Sequence, residues 1–201
     1  MQLNRLSHKG FTLIEMLVVL TVIGILMLLI APSLKSSSSG AMSKQIYDFT
    51  SRAASNWRLL AINCGTTGDV TTSPVVTTPS AANSLGLIVT GSSLLKTATY
   101  QSCWDATAIQ PLHTKATGNV TDGFKVAGFP VTWSGGSGST PISFVVVGVP
   151  VEIALPLYRQ YSSAAGAQTS SAMPTTADTT DPLIQFTAPA TGVTTLTLLF
   201  P

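Results

Sequence analysis

Few residues in this chain have the type and setting to do chemistry, and one stands apart. Glu15 is the only charged residue in the apolar run Phe11–Ala31. A carboxylate within a membrane-length apolar segment costs roughly 2.5 kcal/mol or more at mid-bilayer, so it calls for a partner charge. Gly10-Phe11 stands just upstream, where the short basic start (Arg5, His8, Lys9) gives way to the apolar run. A cut between Gly10 and Phe11 would put a new α-amino group about one helical turn from Glu15. Amine and carboxylate would then be able to pair within one chain or between neighbours. The other candidates are sparse. Cys64 and Cys103 are the only thiols, and His113 is the only histidine after the basic start. Asp178 and Asp181 lie in a Ser/Thr-rich stretch. No Gly-rich phosphate loop and no Cys/His metal spacing accompanies them. His113, in Pro111-Leu112-His113-Thr114, reads as a loop residue, so no catalytic group and no enzyme activity is expected.

The elements that must position Glu15 follow from the pattern. The 201 residues allow a membrane segment plus one domain. Phe11–Ala31 as a helix would span ~32 Å, close to a ~30 Å hydrocarbon core. A secretory signal has a shorter apolar centre of about 7–15 residues, and a plain membrane anchor needs neither a Gly-Phe junction nor a glutamate. The basic flank places Met1–Gly10 in the cytoplasm and the bulk of the chain across the membrane. Pro32 and Ser36–Gly40 weaken the helix beyond. Met42, Ile46, Phe49, Ala53, Trp57 and Leu60 then form an apolar stripe at helical period, with Gly65 as a stop. One long helix over 11–63 is the expectation.

Gly10-Phe11-Thr12-Leu13-Ile14-Glu15, followed by Met16-Leu17-Val18-Val19-Leu20, resembles the class III signal of type IV pilins and type II secretion pseudopilins. The resemblance implies cleavage by a prepilin peptidase between Gly10 and Phe11, N-methylation of Phe11, and a role for Glu15 in filament assembly. It implies an α+β, pilin-like fold in which a long N-terminal helix packs on a β-rich globular head. The expected divisions are a removed leader 1–10, the helix 11–63 with 11–31 in the membrane or filament core, and the head 64–201. The expected function is structural: a minor pilin that assembles with other pilin subunits, its head in the periplasm or on the cell surface. The head is large and loop-rich for a subunit repeated thousands of times, which favours minor over major pilin. A type II secretion pseudopilin and a DNA-binding minor pilin for natural transformation are the alternatives.

Charged residues make up only 9% of the chain, against ~25% in ordinary globular domains. From Cys64 onward, short runs rich in Val, Ile, Thr and Phe alternate with Gly, Pro and Ser. Strands are expected near 75–78, 85–90, 98–103, 124–126, 130–133, 142–149, 151–157, 183–188 and 193–200. Pro150 and Pro156 assign their strands to edges or bulges. Gly135–Ser139 reads as a flexible turn and Ser162–Asp181 as a long loop with few anchors. In an oxidising compartment Cys64 and Cys103 would form a disulfide closing a ~40-residue loop; two free buried thiols are the other reading. Asp178 and Asp181 fall well short of the six to eight oxygens that calcium takes, so neither metal nor cofactor is expected. Asn119-Val120-Thr121 is a formal glycosylation sequon only. After Cys64, four basic residues (Lys96, Lys115, Lys125, Arg159) meet six acidic ones, a net of −2 that gives nucleic acid no long-range attraction.

Overall fold

The computed structural model describes residues 12–201, and for 28–37 the backbone alone. The chain divides into two compact units, Met1–Ser38 and Ser39–Pro201. Helix α1 (Leu13–Asn63) contributes to both. Its backbone is helical through Pro32 and the Ser36–Gly40 run, where the sequence predicts weakening.

In the first unit every described side chain from Thr12 to Met27 is exposed, including all the large apolar ones from Leu13 to Met27. Among the described residues no helix is long and apolar enough to cross a membrane. The expected span Phe11–Ala31 runs past the described side chains at both ends.

The second unit is built on the apolar stripe. Ile46, Phe49, Ala53, Trp57 and Leu60 are buried, while Met42, expected on the same stripe, is exposed. The residues off the stripe, Lys44, Arg52 and Ser55, face solvent. Two polar side chains are also buried here. The Ser43 hydroxyl donates to the Ile153 carbonyl (2.6 Å), and the Thr50 hydroxyl to the Ile46 carbonyl (3.0 Å). The helix stops at Gly65 in the left-handed region (φ 61°). Gly65 N–H bonds the Ile62 carbonyl and Thr66 N–H the Ala61 carbonyl, the paired arrangement that closes a helix C-terminus.

The stripe packs on a six-stranded antiparallel sheet of β1 (Thr117–Asn119), β2 (Gly123–Val126), β3 (Phe129–Gly135), β4 (Ile142–Pro150), β5 (Ile184–Phe186) and β6 (Val193–Phe200), in spatial order β1-β2-β3-β4-β6-β5. Alternation sets the buried face: Val131 and Trp133 in β3, Ile142, Phe144 and Val146 in β4, Leu196 and Leu198 in β6. Aromatic edges join helix to sheet. Trp57 meets Trp133 at 5.4 Å and Phe49 meets Phe144 at 6.5 Å, both edge-on. Trp57 Nε1 donates to the Gly68 carbonyl (2.8 Å). That carbonyl also lies 2.2 Å from where a Cβ on Gly136 (φ 85°) would sit, so the β3–β4 turn needs glycine there. The result is an α+β fold of pilin-like build, a long N-terminal helix with an antiparallel sheet.

Three expected strands are helices. Residues 85–90 lie in α2 (Ala81–Thr90). Six successive buried residues, 84–89, read equally as buried strand or buried helix; the Ser80 hydroxyl, accepting from Asn83 N–H (3.1 Å), caps the helical choice. Residues 98–103 lie in α3 (Thr97–Thr107) and 151–157 in α4 (Val151–Tyr161). In α4 the buried Ile153, Ala154, Leu157 and Tyr158 recur at helical spacing, and Pro156 is accommodated inside the helix. Residues 75–78 contribute a single bridge, Val76 to Leu95. Strand β1, with no buried residue, carries no alternation that sequence reading detects. The stretch 162–181 is better anchored than its composition suggests. Ala167 and Met173 are buried, Arg159 Nε donates to the Ser170 carbonyl (2.6 Å), and Asp181 is 4% exposed within a ring of donors.

Candidate processing and assembly site

Gly10 and Phe11 lie outside the described residues. Glu15 stands in the first turn of α1, and its surroundings are local. Its backbone N–H donates to the Thr12 hydroxyl oxygen, while its Oε2 accepts from the Thr12 N–H and the Thr12 hydroxyl, all at 3.3 Å. This is a capping box: the residue before the helix and the third residue inside it satisfy each other's orphan donors. A negative charge here also complements the helix dipole. Sequence reasoning singled out Glu15 and passed over Thr12, although the Thr-x-x-Glu spacing ahead of an apolar run is the signature of this device. Both contacts use Oε2, so Oε1 stays outside the box.

The bare apolar surface around this carboxylate is the second feature. A helix apolar on all sides is stable only when surrounded by lipid or other protein. Leu13, Met16, Leu17 and Leu20 stand exposed on the helix surface near Glu15 in sequence. The site therefore pairs one hydrogen-bonded carboxylate with a surface that water solvates poorly.

Elsewhere the candidate residues are occupied structurally. Cys64, one residue beyond α1, is joined by a disulfide to Cys103 in α3, with Cα atoms 5.2 Å apart. His113 is exposed in a loop. Asp178 Oδ1 accepts from Thr180 N–H, the Thr180 hydroxyl and Asp181 N–H. Asp181 Oδ1 takes the N–H groups of Leu183 and Ile184; its Oδ2 takes the Ser162 hydroxyl and both donors of Ser163. Burial pushes the Asp181 carboxyl up, but the donors from Leu183, Ile184, Ser162 and Ser163 outweigh it and bring it down to about 2. These oxygens tie the loop together, and among the described residues no three His, Cys, Asp or Glu side chains gather to hold a metal. Asn119 spends its side chain on the β1–β2 turn, accepting from Thr121 and Asp122 N–H.

Of the three lysines Lys96, Lys115 and Lys125, one is drawn to an acid on α1. Lys115 Nζ lies 2.9 Å from Asp48, which also binds Arg52 Nε at 2.7 Å. Hydrogen bonds from Lys115 and then Arg52 hold the Asp48 carboxyl below the usual range. A cleft of about 450 Å³ between α1 and α4 brings Lys44, Tyr47, Asp48, Gln160 and Tyr161 together. Tyr47 and Tyr161 stack there at 3.7 Å, and burial, then Tyr47, pushes the Tyr161 phenol up to about 12.

The family model for the prokaryotic N-terminal methylation motif matches residues 5–31, which covers the Gly10-Phe11 junction, Thr12, Glu15 and the apolar run. This is the class III signal of type IV pilins and pseudopilins, so the chain opens with a pilin-type N-terminus. No curated protein and no solved structure matches the chain.

Proposed function

We propose that this protein is a structural subunit of a type IV filament, held in the inner membrane by the first half of α1 before it assembles with sibling pilins. Prepilin peptidase would remove residues 1–10 and methylate Phe11, and the head would face the periplasm or the cell surface. The observation that carries the reading is the combination at the N-terminus: a methylation motif over 5–31, a helix apolar on every described side, and one carboxylate in its first turn. Apolar surface of this extent needs lipid first and neighbouring helices afterwards. The carboxylate then needs a positive partner, and the Phe11 amine of a neighbouring subunit supplies one. The minor-pilin role rests on a head rich in turns and small helices, a shape suited to few copies. The reading is of an assembly component rather than an enzyme.

The test is Glu15→Ala. The variant should stay in the membrane fraction at wild-type level while its share in sheared filaments falls by about tenfold, a loss near 1.4 kcal/mol of assembly free energy. Wild-type incorporation of the variant would reject the pairing.

A further inference from the structure

We propose that the Cys64–Cys103 disulfide is an exchangeable latch on α3, and that its reduction by a dithiol frees the segment 97–110 while the rest of the head stays folded. Helix α3 has little of its own to hold it. Its sequence, Thr-Ala-Thr-Tyr-Gln-Ser-Cys-Trp-Asp-Ala-Thr, is rich in poor helix formers, and an 11-residue helix is marginal in isolation. No side chain caps its start. Its one charge, Asp105, sits in the last turn, the wrong end of the helix dipole. It closes on Ala108 in the left-handed region (φ 50°), where glycine is the favoured residue. Only Trp104 of its residues is buried, at 8% exposure.

Firm attachment lies outside the helix on both sides. Lys96 N–H bonds the Val75 carbonyl (2.9 Å) and Leu112 N–H the Ile88 carbonyl (3.1 Å). Between these anchors the segment is held by the buried Trp104, by the half-buried Tyr100 and Ile109 at the edge of the core, by one exposed hydrogen bond from Asn63 Nδ2 to Thr107 Oγ1 (3.0 Å), and by the disulfide to the end of α1. The central aromatic contacts, Trp57–Trp133 and Trp133–Phe144, do not involve α3. Both cysteines are partly exposed, which gives a reductant access to the bond.

The exchange balances as ordinary thiol–disulfide chemistry. One thiolate of the dithiol attacks a sulfur of the pair, the other cysteine leaves as a thiolate and takes a proton, and the dithiol's second thiolate resolves the mixed disulfide. Two electrons pass, leaving two protein thiols and an oxidised dithiol. The freed Cys103 thiol has an acceptor waiting in the Tyr100 carbonyl, 3.1 Å from Sγ.

Hydrogen exchange read by mass spectrometry tests this on the full-length protein in detergent micelles, with and without dithiothreitol. At labelling times short against global unfolding, amides of 97–110 should exchange faster by about tenfold or more after reduction, while β3, β4 and β6 stay protected. The Cys64→Ser/Cys103→Ser variant should show the same local pattern; should it fail to fold, reduction of the folded wild-type protein decides. An equal rise across the head, no rise in 97–110, or a bond that dithiothreitol leaves intact in the folded state would each overturn the latch.

Discussion

Glu15 has two partners available in different states. In the single chain its Oε2 belongs to the Thr12 capping box; in a filament the carboxylate is proposed to meet an amine from another subunit. Thr12→Ala should then cost the helix start about 1 kcal/mol, and Thr12→Ser should restore it. Hydrogen exchange of the first turn of α1 reads this directly, and equal exchange in Thr12→Ala and wild type would show that the box contributes nothing. Asp181 offers a second test at this scale. Its folded-state carboxyl at about 2 lies below its ordinary 3.8, so the stabilisation is complete above about pH 4 and lost as pH falls through 2. The linked contribution is on the order of 2 kcal/mol. Asp181→Ala should destabilise the head by about 3 kcal/mol, since it strands buried donors from Ser162, Leu183 and Ile184, and should remove this part of the acid sensitivity. Denaturant titrations at pH 7 and pH 3 measure both, and an unchanged acid slope would count against the role. Glu15 and the cysteines were legible because charge in an apolar run and paired thiols are rare. Asp181 was not, because its five donors come from residues as far as 19 positions away from it, brought together only by folding.

Elements were read well where periodicity was strong and poorly where it was not. The stripe Ile46–Leu60 placed the second part of α1, and runs rich in Val, Ile, Thr and Phe between Gly and Pro placed β3, β4 and β6. The errors share a cause: short apolar or Thr-rich runs carry no decisive period, and tertiary context overrides propensity. Ser80 chose helix at α2 by capping, α4 buries one amphipathic face, and α3 stands between fixed anchors with a disulfide at its middle. Ser80→Ala should therefore cost about 1 kcal/mol in urea unfolding. Gly136→Ala should cost more, about 2 kcal/mol or above, because the new Cβ would collide with the Gly68 carbonyl that accepts from Trp57. A Gly136→Ala variant as stable as wild type would refute that close approach.

On the scale of the whole molecule, the chain joins a water-averse helical unit to a head of low charge. The disulfide closes a loop of sequence separation 39, worth about 4 kcal/mol in the chain-entropy model. Reduction should lower the head's unfolding free energy by an amount of that order, on top of the local release of α3. The head's charge bears on partners as well. With a net of −2 after Cys64 and Lys115 engaged by Asp48, the protein should bind duplex DNA no tighter than a Kd of about 10⁻⁵ M at physiological salt. A fluorescence-anisotropy titration showing salt-sensitive binding at sub-micromolar protein would move the reading to a DNA receptor.

The central claim is that this chain is processed as a pilin-type subunit, and the mature N-terminus tests it most directly. Mass spectrometry of the N-terminal peptide, from protein recovered in membranes and in sheared filaments, should find the chain beginning at Phe11 with one methyl group on its amine. Gly10→Ala should slow that processing strongly and leave uncut protein in the membrane. A chain that begins at Met1, or one that begins after Ala31 with the apolar helix removed, would contradict the account.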